Sequence, residues 1–477
     1  MTTPIYRLFG LFVILFALLI VWTSRWTVFE ATALQDNGLN KLNLAHQLLV
    51  KRGRILASDG TVLARSLPAK GGTWTRLYPT SSEFAQVVGY GIVLTGRYAG
   101  LESHYRHQIG GAPTGLASVF GPLSGNQLLG NDVYTSLDTK AQQVAIRDLA
   151  GRAGSVVALD PRTGEVLAMY ANPSYDDNHI TARCVPPACS QFNNSTQAGW
   201  PPGSTFKVVT AVAAIDSGKF KPSSVVNGSS PKTISGIPLS NDNNQSFGNI
   251  DLTTALTYSV NTVWAQVAQT VGRDTMNQYM QRFGVYSKPP LDYPAGEINP
   301  SQPYSTSTGR PLPPASPDED LGRIGIGQGG LRVTPLQMAM VASAVANGGK
   351  LMAPHLVTRV VDPYGRTLET VGPNVYNQVM SASTAQQVTE MMRQVVKEGT
   401  GTAAALSGVD VAGKTGTATI GAPGSNLTQP WFIGFAPAGS PKVAVAVTIE
   451  RTQGQFGGQV AAPIARDIIQ TLLAEGK

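Results

Sequence analysis

The most apolar stretch of the chain lies close to its beginning. Residues 8–24 carry no charged side chain, and the run has the shortest length that a membrane-spanning helix needs, about 17 residues. Arg7 and Arg25 bound the run, and Trp22 and Trp26 lie where interfacial aromatic side chains are expected. The leading flank is at least as positive as the trailing one, which predicts a single-pass anchor with a cytoplasmic amino terminus.

A cleaved signal peptide is the alternative interpretation of this stretch. Ala31, Thr32 and Ala33 form a small-residue sequence of the kind that is cut during export. That sequence lies beyond Arg25 and Trp26, rather far from the apolar run, which favours an anchor that is retained. Either interpretation places the remainder of the chain outside the cytoplasm.

Shorter apolar runs follow, separated by turn residues. Apolar residues at 55–56 and 62–63 flank a Ser-Asp-Gly sequence, which predicts a β-hairpin. The stretch 133–138 has the composition of a strand, and 139–150 has the apolar spacing of an amphipathic helix.

The second half of the chain continues this alternation. Residues 154–160 and 165–171 are apolar runs joined by Pro-Arg-Thr-Gly, which predicts a second hairpin. A strand at 442–450 and an apolar helix at 461–473 are expected near the end. Strands from both ends of a domain with helices between them indicate an α/β layered fold. The Pro-rich piece 289–317 is interpreted as a surface insertion.

Composition supports a folded, turn-rich chain. Apolar residues make up 42% of the 477 positions and charged residues only 14%, while the 51 glycines and 32 prolines suggest short strands and many turns. The formal net charge of +7 is modest and scattered. Because the chain has no run of Lys or Arg with interleaved aromatic residues, we expect no nucleic-acid partner.

The chain contains two cysteines, Cys184 and Cys189, with Pro186 and Pro187 between them. An exported protein lies in an oxidising compartment, where a small loop-closing disulfide can form. The sequence alone does not decide whether this disulfide forms. Metal binding would need more ligands than these two thiols and the nearby His179, so no metal is expected.

The first candidate for chemistry is the sequence Ser204-Thr205-Phe206-Lys207. It follows Pro-Pro-Gly and opens an apolar run that ends before Gly218, which predicts that Ser204 lies at the start of a helix. Positions three apart share a helical face, so Lys207 can reach the Ser204 hydroxyl. A lysine of lowered pKa can then act as the base that activates the serine.

Taken singly, this pattern is also compatible with a serine that caps a helix and a solvated lysine. The sequence Ser229-Ser230-Pro231-Lys232 has the same spacing, although a proline lies inside it and no apolar helix follows. The spacing alone therefore does not identify a nucleophile.

Two further short sequences complete the candidate site. Ser259 and Asn261 are two positions apart and can both face a cleft from a turn between helices. Lys414-Thr415-Gly416-Thr417 lies in a β-branched, Gly-bearing stretch that is typical of an edge strand approached closely by a ligand. Lys414 offers a cation for a carboxylate, and the threonines offer hydroxyl groups. None of the five histidines lies near these motifs, and no G-x-S-x-G sequence supports a Ser-His-Asp triad.

The ordered motifs STFK, SVN and KTGT resemble those of penicillin-binding transpeptidases and serine β-lactamases. The segments TSLDTKAQQVA, SVVALDPRTGEVLAMYANPSYD, IGIGQGGLRVTPLQMAMVASAVANGG and WFIGFAP also look like parts of a transpeptidase domain. Upstream, RGRILASDGTVLARS and GLESHYRHQIGG are similar to the pedestal of class B penicillin-binding proteins, and the subtype is most like penicillin-binding protein A among the relatives of the division transpeptidase. The resemblance implies an antiparallel sheet flanked by helices, carried on an anchor and a smaller mixed α+β pedestal.

The same resemblance implies three regions and a role for each motif residue. The regions are an anchor at 1–26, a pedestal of the dimerisation type at 27–129 and a transpeptidase domain at 130–477. Ser204 would be the acylated nucleophile and Lys207 its base. The other implied roles are a proton relay by Ser259, positioning by Asn261, carboxylate binding by Lys414 and Thr415, and an oxyanion hole from the Ser204 and Thr417 amides, with Gly416 inside the same substrate-binding motif.

The function implied is a serine D,D-transpeptidase that cross-links peptidoglycan stem peptides, releases D-alanine and is acylated by β-lactams. No cofactor is implied. A glycan polymerase of the division or elongation machinery is a possible partner, and D,D-carboxypeptidase activity is a related outcome. The alternatives are an exported β-lactamase or β-lactam sensor, and a membrane-tethered scaffold without activity. The region between anchor and transpeptidase domain is too short for the glycosyltransferase domain of a class A protein.

Overall fold

The computed structural model describes residues 2–30, 47–111, 129–180, 184, 188–421 and 425–476. The described helices are α1 (Thr2–Ser24), α2 (Ala85–Val88), α3 (Gly100–His104), α4 (Arg106–Ile109), α5 (Thr139–Leu149), α6 (Asn194–Gln197), α7 (Lys207–Asp216), α8 (Leu252–Thr257), α9 (Asn261–Val271), α10 (Arg273–Arg282), α11 (Leu321–Ile324), α12 (Pro335–Ala346), α13 (Ala382–Lys397), α14 (Gly457–Val460) and α15 (Ala462–Ala474). Short 3-10 turns connect several of them.

The strands are mostly short, as the turn-rich composition predicts. They are β1 (Ile55–Leu56), β2 (Val62–Pro68), β3 (Trp74–Leu77), β4 (Gly91–Ile92), β5 (Arg97–Tyr98), β6 (Asp132–Thr135), β7 (Gly154–Leu159), β8 (Val166–Asn172), β9 (Val225–Asn227), β10 (Lys232–Ile234), β11 (Ile237–Leu239), β12 (Asn249–Asp251), β13 (Gln302–Pro303), β14 (Leu331–Arg332), β15 (Lys350–Met352), β16 (Val357–Val361), β17 (Thr367–Thr370), β18 (Val375–Gln378), β19 (Ala412–Ile420), β20 (Leu427–Ala436), β21 (Val443–Ile449) and β22 (Thr452–Gln453). Both predicted hairpins, the predicted helix after residue 138 and the final strand and helix are confirmed.

A central antiparallel sheet has the strand order β19-β20-β21-β7-β8, with β22 added beside β20. Strands from both ends of the domain are therefore neighbours, as the apolar pattern predicts. Alternate side chains of β7 enter two hydrophobic cores: Val157 and Leu159 join one, Val156 and Ala158 the other. Helix α12 packs on the first face, and α5 and α15 on the second. The α/β layered fold is confirmed. Strand β19 is the edge strand of this sheet.

A second sheet has the order β17-β16-β6-β1-β2-β3. Strand β1 pairs in parallel with β6, and β16 pairs antiparallel with β6, so strands from residues 55–77 and 357–370 share one sheet. Beside this sheet the buried Glu102 carboxylate lies between two guanidinium groups, 2.6 Å from Arg52 Nη2 and 2.6 Å from Arg76 Nη2. The N-terminal part is thus joined to the larger domain by backbone pairing.

The N-terminal helix α1 contains a stretch, Pro4–Ser24, that is long and apolar enough to cross a membrane, and none of it is buried against the protein. This agrees with the predicted anchor in length and position. The alternative cleavage sequence Ala31-Thr32-Ala33 lies outside the described residues.

The interpretation of residues 289–317 as a surface insertion is wrong for their first half. Tyr293 and Ile298 are only 3% exposed. Asp292 accepts hydrogen bonds from the Leu356 and Val357 amides, at 2.6 and 2.9 Å, and from the Tyr105 hydroxyl at 3.2 Å. This segment packs between the N-terminal part and the larger domain, because its apolar side chains fill their junction.

The cysteine pair, which the sequence left open, forms a disulfide. Cys184 and Cys189 are bonded, with their Cα atoms 5.0 Å apart. Both are half-buried against the larger hydrophobic core.

Candidate active site

Ser204 lies in the first turn of a buried helix. A 3-10 turn, Gly203–Phe206, continues directly into α7, whose side chains are almost all buried. Gly203 has a φ of +53°, and a Cβ there would lie 2.9 Å from the Thr417 carbonyl carbon. Only glycine allows the turn to approach strand β19 so closely. Ser204 remains half-exposed at the surface of the resulting cleft.

Lys207, one turn later, has no exposed surface. Its Nζ donates hydrogen bonds to the Ser259 carbonyl oxygen at 2.6 Å, to Asn261 Oδ1 at 2.7 Å and to Ser259 Oγ at 3.2 Å. The first and second motifs therefore meet through this amine. Among the described contacts, Lys207 Nζ has no hydrogen bond to the Ser204 hydroxyl, so the predicted pairing of these two side chains is replaced by contacts with Ser259 and Asn261.

The turn between α8 and α9 presents Ser259 and Asn261, as the sequence predicts. Ser259 is a non-glycine residue with a φ of +60°, a strained conformation that is often retained at functional sites. Asn261 begins α9, and its Nδ2 donates to the Ser240 carbonyl oxygen at 3.2 Å. The amide oxygen is thereby directed toward Lys207.

Burial controls the charge of Lys207. Desolvation holds the pKa of the amine well below its usual range, and the nearby Lys414 lowers it further, while Asp242 opposes both effects. A neutral amine has two N–H groups and one lone pair. Because Ser259 carbonyl and Asn261 Oδ1 are the shorter contacts, they can accept the two N–H groups, which leaves the lone pair to receive a proton from a hydroxyl.

The third motif forms part of the edge strand β19. Lys414 is fully buried, its Nζ donates to the Thr415 carbonyl oxygen at 3.1 Å, and burial lowers its pKa to about 7, against the opposing effect of Asp242. The Thr415 and Thr400 hydroxyl oxygens are 2.5 Å apart. A Cβ at Gly416 would lie 2.6 Å from the Pro202 carbonyl oxygen. Glycine is therefore required where the strand meets the Ser204 turn.

Between the helices and β19 lies a cleft of about 430 Å³. Ser204, Ser259, Thr415, Gly416 and Thr417 line it. Lys207 and Lys414 are buried and do not line it, and the half-exposed Asn261 is not among the lining residues. The lining residues outside the motifs are Asp242, Asn243, Gln245, Phe247, Tyr258, Thr400, Thr402, Phe456, Gly458 and Gln459. All three motifs thus converge on one site.

Sequence reasoning missed the additional lining residues. The Phe247 and Tyr258 rings are stacked with centroids 6.1 Å apart, and Tyr258 directly precedes Ser259, which is the one signal that could have pointed to it. Asp242 and Phe456 lie far from the motifs in sequence, so no local pattern places them here. The aromatic rings give the cleft an apolar rim.

The competing interpretations place their residues elsewhere. Lys232 begins β10, a strand of a two-stranded hairpin, so the second S-x-x-K sequence does not open a helix. None of the histidines in the described part of the chain lines the cleft, and His46 is not among the described residues. A serine and a buried lysine, rather than a Ser-His-Asp triad, define the chemistry.

The fold and the convergent serine and lysine motifs agree with the match of this chain to known families. Residues 154–470 match the model of the penicillin binding protein transpeptidase domain, and the chain belongs to that family. Residues 52–133 match the penicillin binding protein A dimerisation domain. The expected class B resemblance, with its transpeptidase fold and dimerisation domain, is confirmed.

Individual proteins show the same similarity over most or all of the chain. The peptidoglycan D,D-transpeptidase PbpA of Mycolicibacterium smegmatis is 32% identical, over 100% of both chains. The structure of penicillin-binding protein A from M. tuberculosis as a ceftriaxone acyl-enzyme complex has a TM-score of 0.79 and 28% identity, and covers 90% of this chain and 99% of that one. The D,D-transpeptidase domain of a peptidoglycan glycosyltransferase from Eggerthella lenta has a TM-score of 0.78 and 31% identity, and covers 90% and 99%.

Proposed function

We propose that this chain is a serine D,D-transpeptidase that cross-links peptidoglycan through an acyl-enzyme on Ser204. The observation that carries the proposal is the buried amine of Lys207. Lys207 lies one helical turn after Ser204, and its amine contacts Ser259 and Asn261. A buried amine of lowered pKa is a base that a serine nucleophile needs. The peptidoglycan D,D-transpeptidase of M. smegmatis, similar over its whole length, supports the substrate class.

Acylation follows from the placement of the side chains. Lys207 accepts the Ser204 hydroxyl proton, and Ser204 Oγ attacks the carbonyl carbon of the bond between the last two D-alanines. The Ser204 and Thr417 backbone N–H groups hold the oxyanion. Lys414 and Thr415 hold the terminal carboxylate, and the Ser259 hydroxyl relays the proton to the leaving amine of D-alanine.

Deacylation distinguishes a transpeptidase from a hydrolase. In cross-linking, the amine of a second stem peptide attacks the ester, loses a proton to the site and returns Ser204 as a free hydroxyl. Attack by water would give carboxypeptidase or β-lactamase activity and needs a base of its own. Glu297 is engaged by the Gly100 amide at 3.2 Å, and neither Glu297 nor Glu165 lines the cleft, so neither suits that role.

The catalytic domain acts on a substrate outside the cytoplasm. We assign the anchor to residues 1–26, the pedestal to 27–129 and the transpeptidase domain to 130–477, with the amino terminus in the cytoplasm and the catalytic domain on the outer side of the membrane. The apolar stretch Pro4–Ser24 supports the anchor. The pedestal is the surface through which we expect a glycan polymerase to bind.

A labelled β-lactam tests the assignment of Ser204. The purified wild-type chain should take up one label that maps to Ser204, and Ser204→Ala should lose it, because the acyl-enzyme forms on the Ser204 hydroxyl. Ser229→Ala is the matched control and should label normally. Measurements of the intact mass at intervals should show that the acyl-enzyme persists for much longer than acylation takes.

Two results would contradict the proposal. Labelling that persists in Ser204→Ala would remove the nucleophile assignment. Rapid return to the unmodified mass, with hydrolysed antibiotic in excess over protein, would make the chain a β-lactamase.

A further inference from the structure

Asp242 lies at the rim of the cleft, on a loop that none of the three motifs includes. The loop is a short turn, Asp242–Asn244, and the side chain of Asn241 secures it. Asn241 Oδ1 accepts from the Thr262 amide at 2.9 Å, and Asn241 Nδ2 donates to the Gln245 carbonyl oxygen at 2.8 Å. The loop is therefore fixed to the start of α9, the helix that presents Asn261.

The orientation of the Asn261 amide depends on its neighbours. The two ends of an amide have nearly the same shape, so only hydrogen bonding decides which end faces the lysine. Asn261 Nδ2 donates to the Ser240 carbonyl oxygen at 3.2 Å and lies 3.5 Å from Asp242 Oδ1. Both partners are acceptors, and the carboxylate carries a charge. They favour the orientation in which Asn261 Oδ1 accepts from Lys207 Nζ at 2.7 Å.

Asp242 also acts on the charges of the site. Lys207 and Lys414 are buried close to each other, and Asp242 is the one carboxylate among the residues that line the cleft. The charged groups that shift the pKa of Lys207 are Lys414 and Asp242. The charged group that shifts the pKa of Lys414 is Asp242. In both cases the carboxylate raises the pKa of the amine against the effect of burial.

We propose that Asp242 is a positioning residue of the acylation site, which orients the Asn261 amide and balances the charge of Lys207 and Lys414. It does not touch the reacting atoms. Its effect reaches the substrate through the two lysines and Asn261. This inference rests on the proposed roles of Ser204 and Lys207.

The test is the rate of acylation by a labelled β-lactam as a function of pH. The rate rises as Lys207 loses its proton and falls as Lys414 loses the charge that holds the carboxylate. Asp242→Asn keeps the size of the side chain and removes its charge, so the pKa of both lysines falls. Both limbs of the profile should shift toward lower pH, and the maximum rate should fall.

The control variants separate this effect from a general one. Asp318→Asn removes the same charge from an exposed position outside the cleft and should leave both limbs in place. Asp242→Glu restores the charge and should move the limbs back toward the wild-type values. A purely structural role would lower the maximum rate without moving the limbs, and that result in Asp242→Asn would overturn the inference.

Failure of the proposed function would be recognised separately. If the wild-type chain takes up no label on Ser204, the assignment of the nucleophile fails before Asp242 is considered. If Ser204 is labelled and the limbs of Asp242→Asn coincide with those of the wild type, the role of Asp242 alone fails.

Discussion

Lys207 carries a long cationic side chain with none of its surface exposed, which is an unfavourable place for a charge. Its three acceptors, on Ser259 and Asn261, compensate part of this cost. Burial and Lys414 both lower the pKa of the amine. The residue is therefore prepared to exist as a neutral base, which a solvated lysine at neutral pH is not.

Replacement of Lys207 by arginine tests this requirement. Guanidinium keeps the positive charge and donors but cannot lose its proton in a protein. We expect Lys207→Arg to lose at least about 100-fold in acylation rate, the lower end of what general-base catalysis contributes. The measurement is single-turnover labelling by a β-lactam, with the free energy of unfolding determined beside it.

Lys232→Arg is the matched control, because Lys232 belongs to the second S-x-x-K sequence and lies on a hairpin. It should acylate at the wild-type rate. A normally folded Lys207→Arg variant that also acylates normally would show that another group is the base.

At the scale of elements, the site exists because the turn before α7 and strand β19 approach each other without side chains between them. Gly203 and Gly416 are the two points of contact. The Trp431 indole N–H donates to the Pro201 carbonyl oxygen at 2.9 Å and holds the turn against β20. The two glycines thus allow the Ser204 turn to lie close to β19, and the Trp431 hydrogen bond helps to keep it there.

Gly203→Ala should have a larger effect than an alanine substitution that changes only the backbone conformation, because the new Cβ would also contact β19. Both Gly203 and Gly218 have a positive φ, but a Cβ at Gly218 would meet no atom within 4 Å. Gly218→Ala should cost about 1 kcal/mol of stability through its backbone conformation. Gly203→Ala should cost more, up to about 3 kcal/mol, and should also slow acylation, because the turn must move away from β19.

Denaturant unfolding and the acylation rate measure the two effects. Equal losses of stability for the two variants, with unchanged acylation, would mean that the close approach at Gly203 has no catalytic importance.

At the scale of the whole molecule, the catalytic domain and the N-terminal part share a sheet. Strands β16 and β17 extend the sheet of β1, β2 and β3 through β6, and the Glu102 ion pairs lie beside it. Backbone pairing of this kind resists movement at the junction. The cleft-bearing domain and the strands of residues 55–77 are therefore held together by main-chain hydrogen bonds.

The proposed topology is tested on spheroplasts and on the purified mature protein. Protease added outside spheroplasts should degrade the catalytic domain, and the mature protein should begin at or near Met1. A mature terminus after Ala33 would replace the anchor by a signal peptide and leave the enzyme assignment in place. Protection from external protease would contradict the proposed orientation.

The sequence by itself determined the apolar N-terminal helix, the hairpins, the helix after residue 138 and the order of the three motifs, because each depends on local periodicity or on residues close together in the chain. Only the tertiary structure decided that Lys207 bonds to Ser259 and Asn261, 52 and 54 positions away, rather than to Ser204. The same holds for the place of Asp242 in the cleft and for the burial of Tyr293. Contacts between distant segments depend on how helices and sheets pack, and no local pattern encodes that packing.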